Sequence, residues 1–189
     1  MFAFKNYYYL YIENTKILNL NSIKKRNRFI VIYRNARKNE SIEALIKFRR
    51  KCKERGVLFF VANEYRMVNK LNADGIYLSA HNKSFKYLNY KNHKLIIGSA
   101  HNFKEISNKR MQGCKKVILS RLFKTDYKNK RGHLGVIRFN LIINNEKNYI
   151  IPLGGIRLNN LNYLKIVRAN SFAILSEIKK KPAISSRLF

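Results

Sequence analysis

The sequence predicts an α/β fold, a short version of the (β/α)8 TIM barrel. Eight short runs rich in β-branched and aromatic residues recur along the 189 residues, and segments with helical spacing lie between several of them. Most of the runs are continuously apolar instead of alternating, as in parallel strands buried on both faces. An open doubly wound sheet is the alternative. Barrels usually have about 200 residues or more, so the helices must be short, and we expect one domain over residues 1–189.

The eight expected strands are spread over the whole chain, without an intervening linker or low-complexity tract. Each is a run of four to six residues, which is a common length for strands in globular proteins. They are YYYLYI (7–12), FIVIY (29–33), VLFFVA (57–62), GIYL (75–78), KLIIG (94–98), KVILS (116–120), YIIPL (149–153) and SFAIL (171–175).

Three segments between the strands predict helices, and each of them ends in a glycine. Residues 41–56 begin with Ser41 and residues 102–113 begin with Asn102, two residue types that favour the N-cap. Residues 64–75 form a shorter third case. After the last strand only SEIKKKPAISSRLF remains for a closing helix.

The stretch YIIPLGGIRLNN (149–160) joins the seventh strand to a further segment with helical spacing. Its apolar positions are Leu161, Leu164 and Val167. Gly154 and Gly155 permit either a tight turn or a close approach of another group. In barrels, phosphate groups often bind at the loops after strands seven and eight. We therefore predict a phosphate site at Gly154 and Gly155 together with Leu175 and Ser176, and keep the plain turn as the alternative.

The charge balance is strongly basic, with 40 Lys plus Arg against 10 Asp plus Glu and a formal net charge of +30. Such a protein attracts polyanions, so nonspecific polyanion binding and a nucleic-acid-binding function are considered. The basic residues are scattered, however, and the chain is rich in residues encoded by A/T-rich codons. Most tyrosines and phenylalanines also fall in strands that should be buried, which disfavours base stacking. We favour compositional drift as the origin of the charge.

The two cysteines form no CxxC pair and have no histidine at metal-ligand spacing beside them, which favours reduced thiols in a cytoplasmic protein. Cys52 lies in RRKCKER, where cations could lower its pKa, but we interpret it as a small helix residue. No apolar run has the length of a membrane span, and the N-terminus lacks the pattern of a signal peptide. We expect no membrane association.

Five motifs, in order and at predicted strand ends, resemble the thiamine-phosphate synthase and TenI (thiazole tautomerase) family. They are NADGIYL (72–78), SAH (99–101), LFKTDYK (122–128), PLGGI (152–156) and AILSEI (173–178). The resemblance covers most of the chain. It implies a barrel that binds a phosphorylated thiazole or pyrimidine ligand, or thiamine phosphate, with the phosphate on Gly155 and Ser176. Family members often associate, so a homo-oligomer is also considered.

The resemblance implies further ligand-binding residues. Thr125 and Lys128 match the loop after strand six that contacts phosphate groups in the synthase, and Ser99 faces the same pocket. After strand two, Arg34 is what remains of a basic family motif. Lys128 suits a phosphate because it is a compact point charge, and we also count it among the candidate catalytic residues.

Two departures from the family bear on the chemistry. The synthase holds magnesium with two acidic residues, which correspond here to Asn63 and Asn82, so no metal site is expected and magnesium enters only if synthase activity is retained. The histidine of TenI corresponds to Arg121, which cannot act as a base.

Histidines at the mouth of the barrel are therefore the remaining candidates for proton transfer. His81 is preferred as the catalytic residue, followed by His101, and His133 is weaker. The sequence favours a tautomerase-like enzyme. The alternatives are a thiamine-phosphate synthase proper, a non-catalytic phosphate-binding barrel and a basic nucleic-acid-binding protein.

Overall fold

Eight parallel strands close into a barrel in which each strand pairs with its neighbours in sequence and β8 pairs with β1. The computed structural model describes residues 7–23, 27–35, 40–90, 94–126, 132–144, 146 and 149–175. The strands are β1 Tyr7–Ile12, β2 Phe29–Tyr33, β3 Leu58–Ala62, β4 Gly75–Leu78, β5 Leu95–Ala100, β6 Lys116–Ser120, β7 Ile150–Leu153 and β8 Ser171–Ile174. The predicted barrel is confirmed, and each predicted strand lies within two residues of its observed bounds.

The continuous apolarity of the strands has a direct cause in the closed sheet. One face of each strand points into the barrel, and the other face packs under the helices. The barrel interior is filled by ten buried side chains: Tyr9, Tyr11, Ile30, Ile32, Phe60, Tyr77, Ile97, Ile118, Ile151 and Ala173. Both faces therefore need apolar residues, which hides the alternation of a half-exposed strand.

Four α-helices are described on the outside of the barrel: α1 Ile42–Glu54, α2 Tyr65–Lys70, α3 Phe103–Met111 and α4 Gly135–Ile143. Ser41 Oγ accepts a hydrogen bond from the Ala44 N–H (3.2 Å), and Asn102 Oδ1 accepts one from the Glu105 N–H (2.9 Å). Gly56 and Gly113, just beyond these helices, have positive φ angles of 63° and 77°. The predicted starts and stops of α1 and α3 are thus confirmed.

The sequence did not predict α4, because GVIRFNLII is apolar on nearly every side and shows no clear 3.6-residue pattern. Its buried residues are Phe139 and Ile143, while Ile137 and Leu141 are exposed. Four other connecting segments are short 3₁₀ helices: Thr15–Ile17, Leu20–Ser22, Lys86–Tyr90 and Leu158–Lys165. These short connections explain how an eight-stranded barrel is formed by a chain of only 189 residues.

The segment after β7 is helical as predicted, but it is a 3₁₀ helix over Leu158–Lys165. Leu161 and Leu164 are three residues apart, so at three residues per turn their side chains line up on one side, and Val167 follows just beyond the end of the helix. All three are buried. The spacing thus matches a 3₁₀ helix better than an α-helix.

Cys52 and Cys114 are both buried free thiols. Burial raises the pKa of each to about 12, and the lowering effect of the nearby cations Arg49 and Lys109 is smaller. Cys52 is therefore a packing residue of α1, not an activated thiol. In the part of the chain that the structure describes, no helix has the length and apolar character needed to cross a bilayer.

Candidate active site

A cavity of about 1200 Å³ opens at the carboxyl ends of the strands. Seven of the predicted site residues line it: Arg34, His81, Ser99, Thr125, Gly154, Gly155 and Leu175. They come from the ends of different strands, which closure of the barrel brings to one mouth. Lys128 and Ser176 lie outside the described residues, so their assignment stays a prediction.

The floor of the cavity is made by tyrosines that point up the barrel interior. Tyr11 and Tyr77 pack edge to face, with ring centroids 5.4 Å apart, and both line the cavity. Burial raises the pKa of both phenols, so they remain neutral hydroxyl groups. The Tyr11 hydroxyl is buried and has no hydrogen-bond partner among the described residues. Such a group is costly unless a ligand or water satisfies it. Sequence reasoning missed Tyr11 because it treated that strand only as core.

Asn63 and Asn82, which we expect from the resemblance to stand at the family's magnesium positions, are joined by a direct hydrogen bond. Asn82 Nδ2 donates to Asn63 Oδ1 over 3.1 Å, and the same oxygen accepts the Ser79 N–H at 3.0 Å. Asn82 Oδ1 accepts the Ser84 N–H at 3.0 Å. We refer to this Asn63–Asn82 pair as the amide clasp. It ties the end of β3 to the loop after β4.

The amide clasp does not fit magnesium. Both of its side-chain oxygens are occupied by N–H donors, both are neutral, and neither residue lines the cavity. Magnesium requires near-octahedral oxygen ligands and is usually held by one or two carboxylates together with phosphate oxygens and water. Among the described residues no group of three or more His, Cys, Asp or Glu could hold a metal ion.

Gly154 and Gly155 bring the loop after β7 against the loop after β6. A Cβ on Gly155 would lie 2.3 Å from the Lys124 backbone oxygen, and one on Gly154 would lie 3.1 Å from Arg121 Cβ. The Phe123 N–H donates to the Gly154 oxygen over 3.0 Å. Both glycines also have positive φ angles. The glycine pair is therefore required by a close backbone approach, at a point that also borders the cavity.

Two cations and three histidines lie around the mouth. The cavity is lined by Arg34 and Arg121, and by His81, His101 and His133. Arg121 Nη1 also lies 3.4 Å from Thr125 Oγ1 and donates to it. The mouth is thus suited to an anionic ligand with nearby groups that can exchange protons.

A serine that the sequence analysis did not single out contacts one of these histidines. Ser120 Oγ and His101 Nδ1 are 2.7 Å apart, and both residues line the cavity. Ser120 is the last residue of β6, so its place at a strand end was the available signal.

A model of the family described as thiamine monophosphate synthase (TMP-TENI) matches residues 16–178. The chain belongs to this family. The thiamine-phosphate synthase of Prochlorococcus marinus (strain AS9601) is 28% identical over 141 residues, which are 74% of this chain and 40% of that protein. That of Pyrococcus horikoshii is 26% identical over 146 residues, 77% of this chain and 70% of that protein.

The chain therefore spans about two fifths of the Prochlorococcus relative. Among solved structures, a thiamine phosphate pyrophosphorylase from Pyrococcus furiosus matches with a TM-score of 0.75 and 18% identity. The match covers 98% of this chain and 95% of that structure, and it supports the barrel fold.

One family motif has a structural role in this thiamine monophosphate synthase homologue. In NADGIYL, Asp74 Oδ2 accepts the Phe59 N–H at 2.7 Å, while Arg49 Nη2 donates to Asp74 Oδ1 at 2.8 Å. A Cβ on Gly75 would lie 2.2 Å from Phe60 Cε1 and 2.3 Å from the Leu95 oxygen. Asp74 and Gly75 of this motif therefore hold β3, β4 and α1 together away from the cavity, whereas Tyr77 of the same motif lines it.

Proposed function

We propose that this member of the thiamine monophosphate synthase family binds a thiazole phosphate at the barrel mouth and catalyses its aromatisation without a metal. The observation that carries the proposal is the amide clasp, in which Asn63 and Asn82 bond to each other. Aromatisation of a thiazole tautomer is an isomerisation that needs only proton transfer. The synthase reaction expels diphosphate, a step that magnesium assists.

The lining of the cavity supports an anionic heterocyclic ligand. Arg34 and Arg121 supply positive charge at the rim, and the Tyr11 and Tyr77 hydroxyls offer neutral polar contacts at the floor. The phosphate is proposed to lie near Gly155, with help from Ser176 and Lys128.

The test uses the purified full chain and the non-aromatic thiazole tautomer phosphate. Aromatisation is followed by proton NMR with excess EDTA or with millimolar magnesium, at high salt so that nonspecific attraction of anions is screened. We expect equal turnover under both conditions. Turnover that disappears in EDTA would overturn the proposal.

A matched variant tests the amide clasp itself. Asn63→Asp combined with Asn82→Asp restores two carboxylates at adjacent strand ends, so it should bind magnesium in calorimetry while the wild-type chain releases no heat. Magnesium binding by the wild-type chain would contradict the interpretation of the amide clasp.

The second candidate is the synthase reaction, and the names of the curated relatives favour it. Here the chain would join a pyrimidine diphosphate to a thiazole phosphate and release diphosphate, with magnesium present. Diphosphate release that depends on both substrates would establish this activity. If the chain shows either activity and binds an RNA oligonucleotide only at low salt, the RNA binding is a nonspecific consequence of the net positive charge.

A further inference from the structure

We infer that His101 is the proton-transfer residue of the cavity and that Ser120 positions its ring. This inference rests on the proposed function and departs from the preference of the sequence analysis for His81. It is carried by the 2.7 Å contact between Ser120 Oγ and His101 Nδ1, at the cavity wall.

The register of the barrel creates this contact. In the parallel pair of β5 and β6, Ala100 lies beside Leu119. The residues that follow this pair, His101 after Ala100 and Ser120 after Leu119, therefore lie side by side. Both strands end there, so the ring and the hydroxyl meet at the mouth instead of inside the sheet.

The backbone of His101 is fixed on its other side by α3. Its N–H donates to Glu105 Oε2 over 2.8 Å, and the Asn102 side chain caps the helix through the Glu105 N–H. Hydrogen bonds thus hold both the ring and the backbone N–H of His101. By contrast, no hydrogen bond joins the His81 ring to another residue in the described part of the chain. A catalytic group needs a fixed orientation toward the reacting atom.

The serine can hold the ring in the tautomer that the chemistry requires. A hydroxyl accepts as well as donates, so Ser120 Oγ can accept a hydrogen bond from Nδ1–H, which leaves the Nε2 lone pair as the base. Nε2 takes a proton from a ring carbon of the tautomer, and the released electron pair moves into the ring. The same nitrogen returns the proton at the exocyclic carbon. Atoms and electrons balance without a co-reactant.

Glu105 on α3 is the charged group in contact with this histidine. The cavity that His101 lines also contains other charged and titratable side chains: Tyr11, Glu13, Arg34, Tyr77, His81, Arg121 and His133. A shift in the pH profile of kcat must therefore be assigned to one of these groups by comparing variants.

Kinetics of single variants test the roles. His101→Gln should lower kcat for aromatisation by about 100-fold or more, while calorimetry shows an unchanged Kd for the thiazole phosphate. Ser120→Ala should lower kcat about tenfold and move the acidic limb of the pH profile of kcat, and Ser120→Thr should restore both. A larger loss of kcat in His81→Gln than in His101→Gln would overturn the assignment.

A spectroscopic measurement separates this inference from the proposed function. In ¹⁵N NMR of the wild-type chain near pH 8, the His101 ring should be the Nδ1-protonated tautomer, and Ser120→Ala should reduce that population. The thiazole phosphate should shift the Nε2 resonance. If the tautomer is as expected but no aromatisation occurs, the proposed function fails while the positioning role of Ser120 stands. An Nε2-protonated ring would overturn the inference even if the enzyme is active.

Discussion

Lys109 Nζ lies 2.7 Å from the backbone oxygen of Asn82 and donates to it, which ties α3 to the loop after β4. The same ammonium donates to Gln112 Oε1 over 2.8 Å, and Gln112 Nε2 donates to the Ser84 oxygen over 2.8 Å. Lys109 is 1% exposed, and burial lowers its pKa. Gly98 leaves the space that its methylene groups occupy, since a Cβ there would lie 2.7 Å from Lys109 Cδ.

We predict that Lys109→Met loosens the loop after β4 while the barrel remains folded. Methionine fills a similar volume but cannot donate to the Asn82 oxygen or to the buried Gln112 Oε1, so the cost should be about 1–3 kcal/mol. Hydrogen exchange followed by mass spectrometry should show faster exchange for residues 79–84 and unchanged exchange in β1 and β2. Protection of the loop equal to that of the wild-type chain would contradict this role.

Gly155→Ala should destabilise the protein through two separable effects. A Cβ would approach the Lys124 oxygen to 2.3 Å, and the φ angle of +65° is strained for alanine. Gly135→Ala is the matched control, because Gly135 has a φ angle of +69° but nothing within 4 Å of its Cβ position.

Denaturant unfolding of both variants measures the difference. Gly135→Ala should cost about 1 kcal/mol from backbone strain alone. Gly155→Ala should cost at least about 2 kcal/mol more, in the range of overpacking. Equal costs would show that the loop after β6 moves away freely. Because a substitution at Gly155 is expected to destabilise the protein, a loss of ligand binding in such a variant would not locate the phosphate.

Asp74→Asn should cost more stability than the loss of an exposed ion pair. The Asp74 carboxylate accepts hydrogen bonds from Arg49 and from the Phe59 N–H, and the side chains of Arg49 and Asp74 are only 12% and 25% exposed. We expect a loss of about 1–3 kcal/mol.

The control for Asp74→Asn is Glu146→Gln, since the Arg110–Glu146 pair is 56% and 41% exposed. That variant should change the free energy of unfolding by at most about 1 kcal/mol. Chemical denaturation of both variants at pH 7 makes the comparison, and a greater loss in Glu146→Gln would refute it.

Both buried thiols should resist alkylation at pH 9 in the folded protein. Burial raises the pKa of Cys52 and Cys114 to about 12, whereas a thiol in the unfolded chain has a pKa of about 8.5. The folded state thus holds more protons between about pH 8.5 and 12, so the thiols' contribution to stability is full below that window and is lost as pH rises through it.

Mass spectrometry after iodoacetamide treatment provides the measurement for the thiols. No label is expected without denaturant and two labels with it. Labelling of Cys52 in the folded state would show that α1 opens locally.

The eight strands and their bounds could be predicted from the sequence because they depend on local chemistry. β-branched and aromatic runs mark buried parallel strands, and Ser41 and Asn102 mark helix starts through their own hydrogen bonds. The helix α4 was missed because its exposed Ile137 and Leu141 remove the polar face that a pattern needs.

The sequence by itself also determined that amides, Asn63 and Asn82, follow two neighbouring strands, and their correspondence to the family's magnesium ligands stays a prediction. Only the tertiary structure decided that Asn82 bonds to Asn63, that Gly155 meets the Lys124 backbone and that Ser120 meets His101. These contacts join neighbouring strands across about 20 to 30 positions of sequence. They depend on the register and closure of the sheet, which no local pattern specifies.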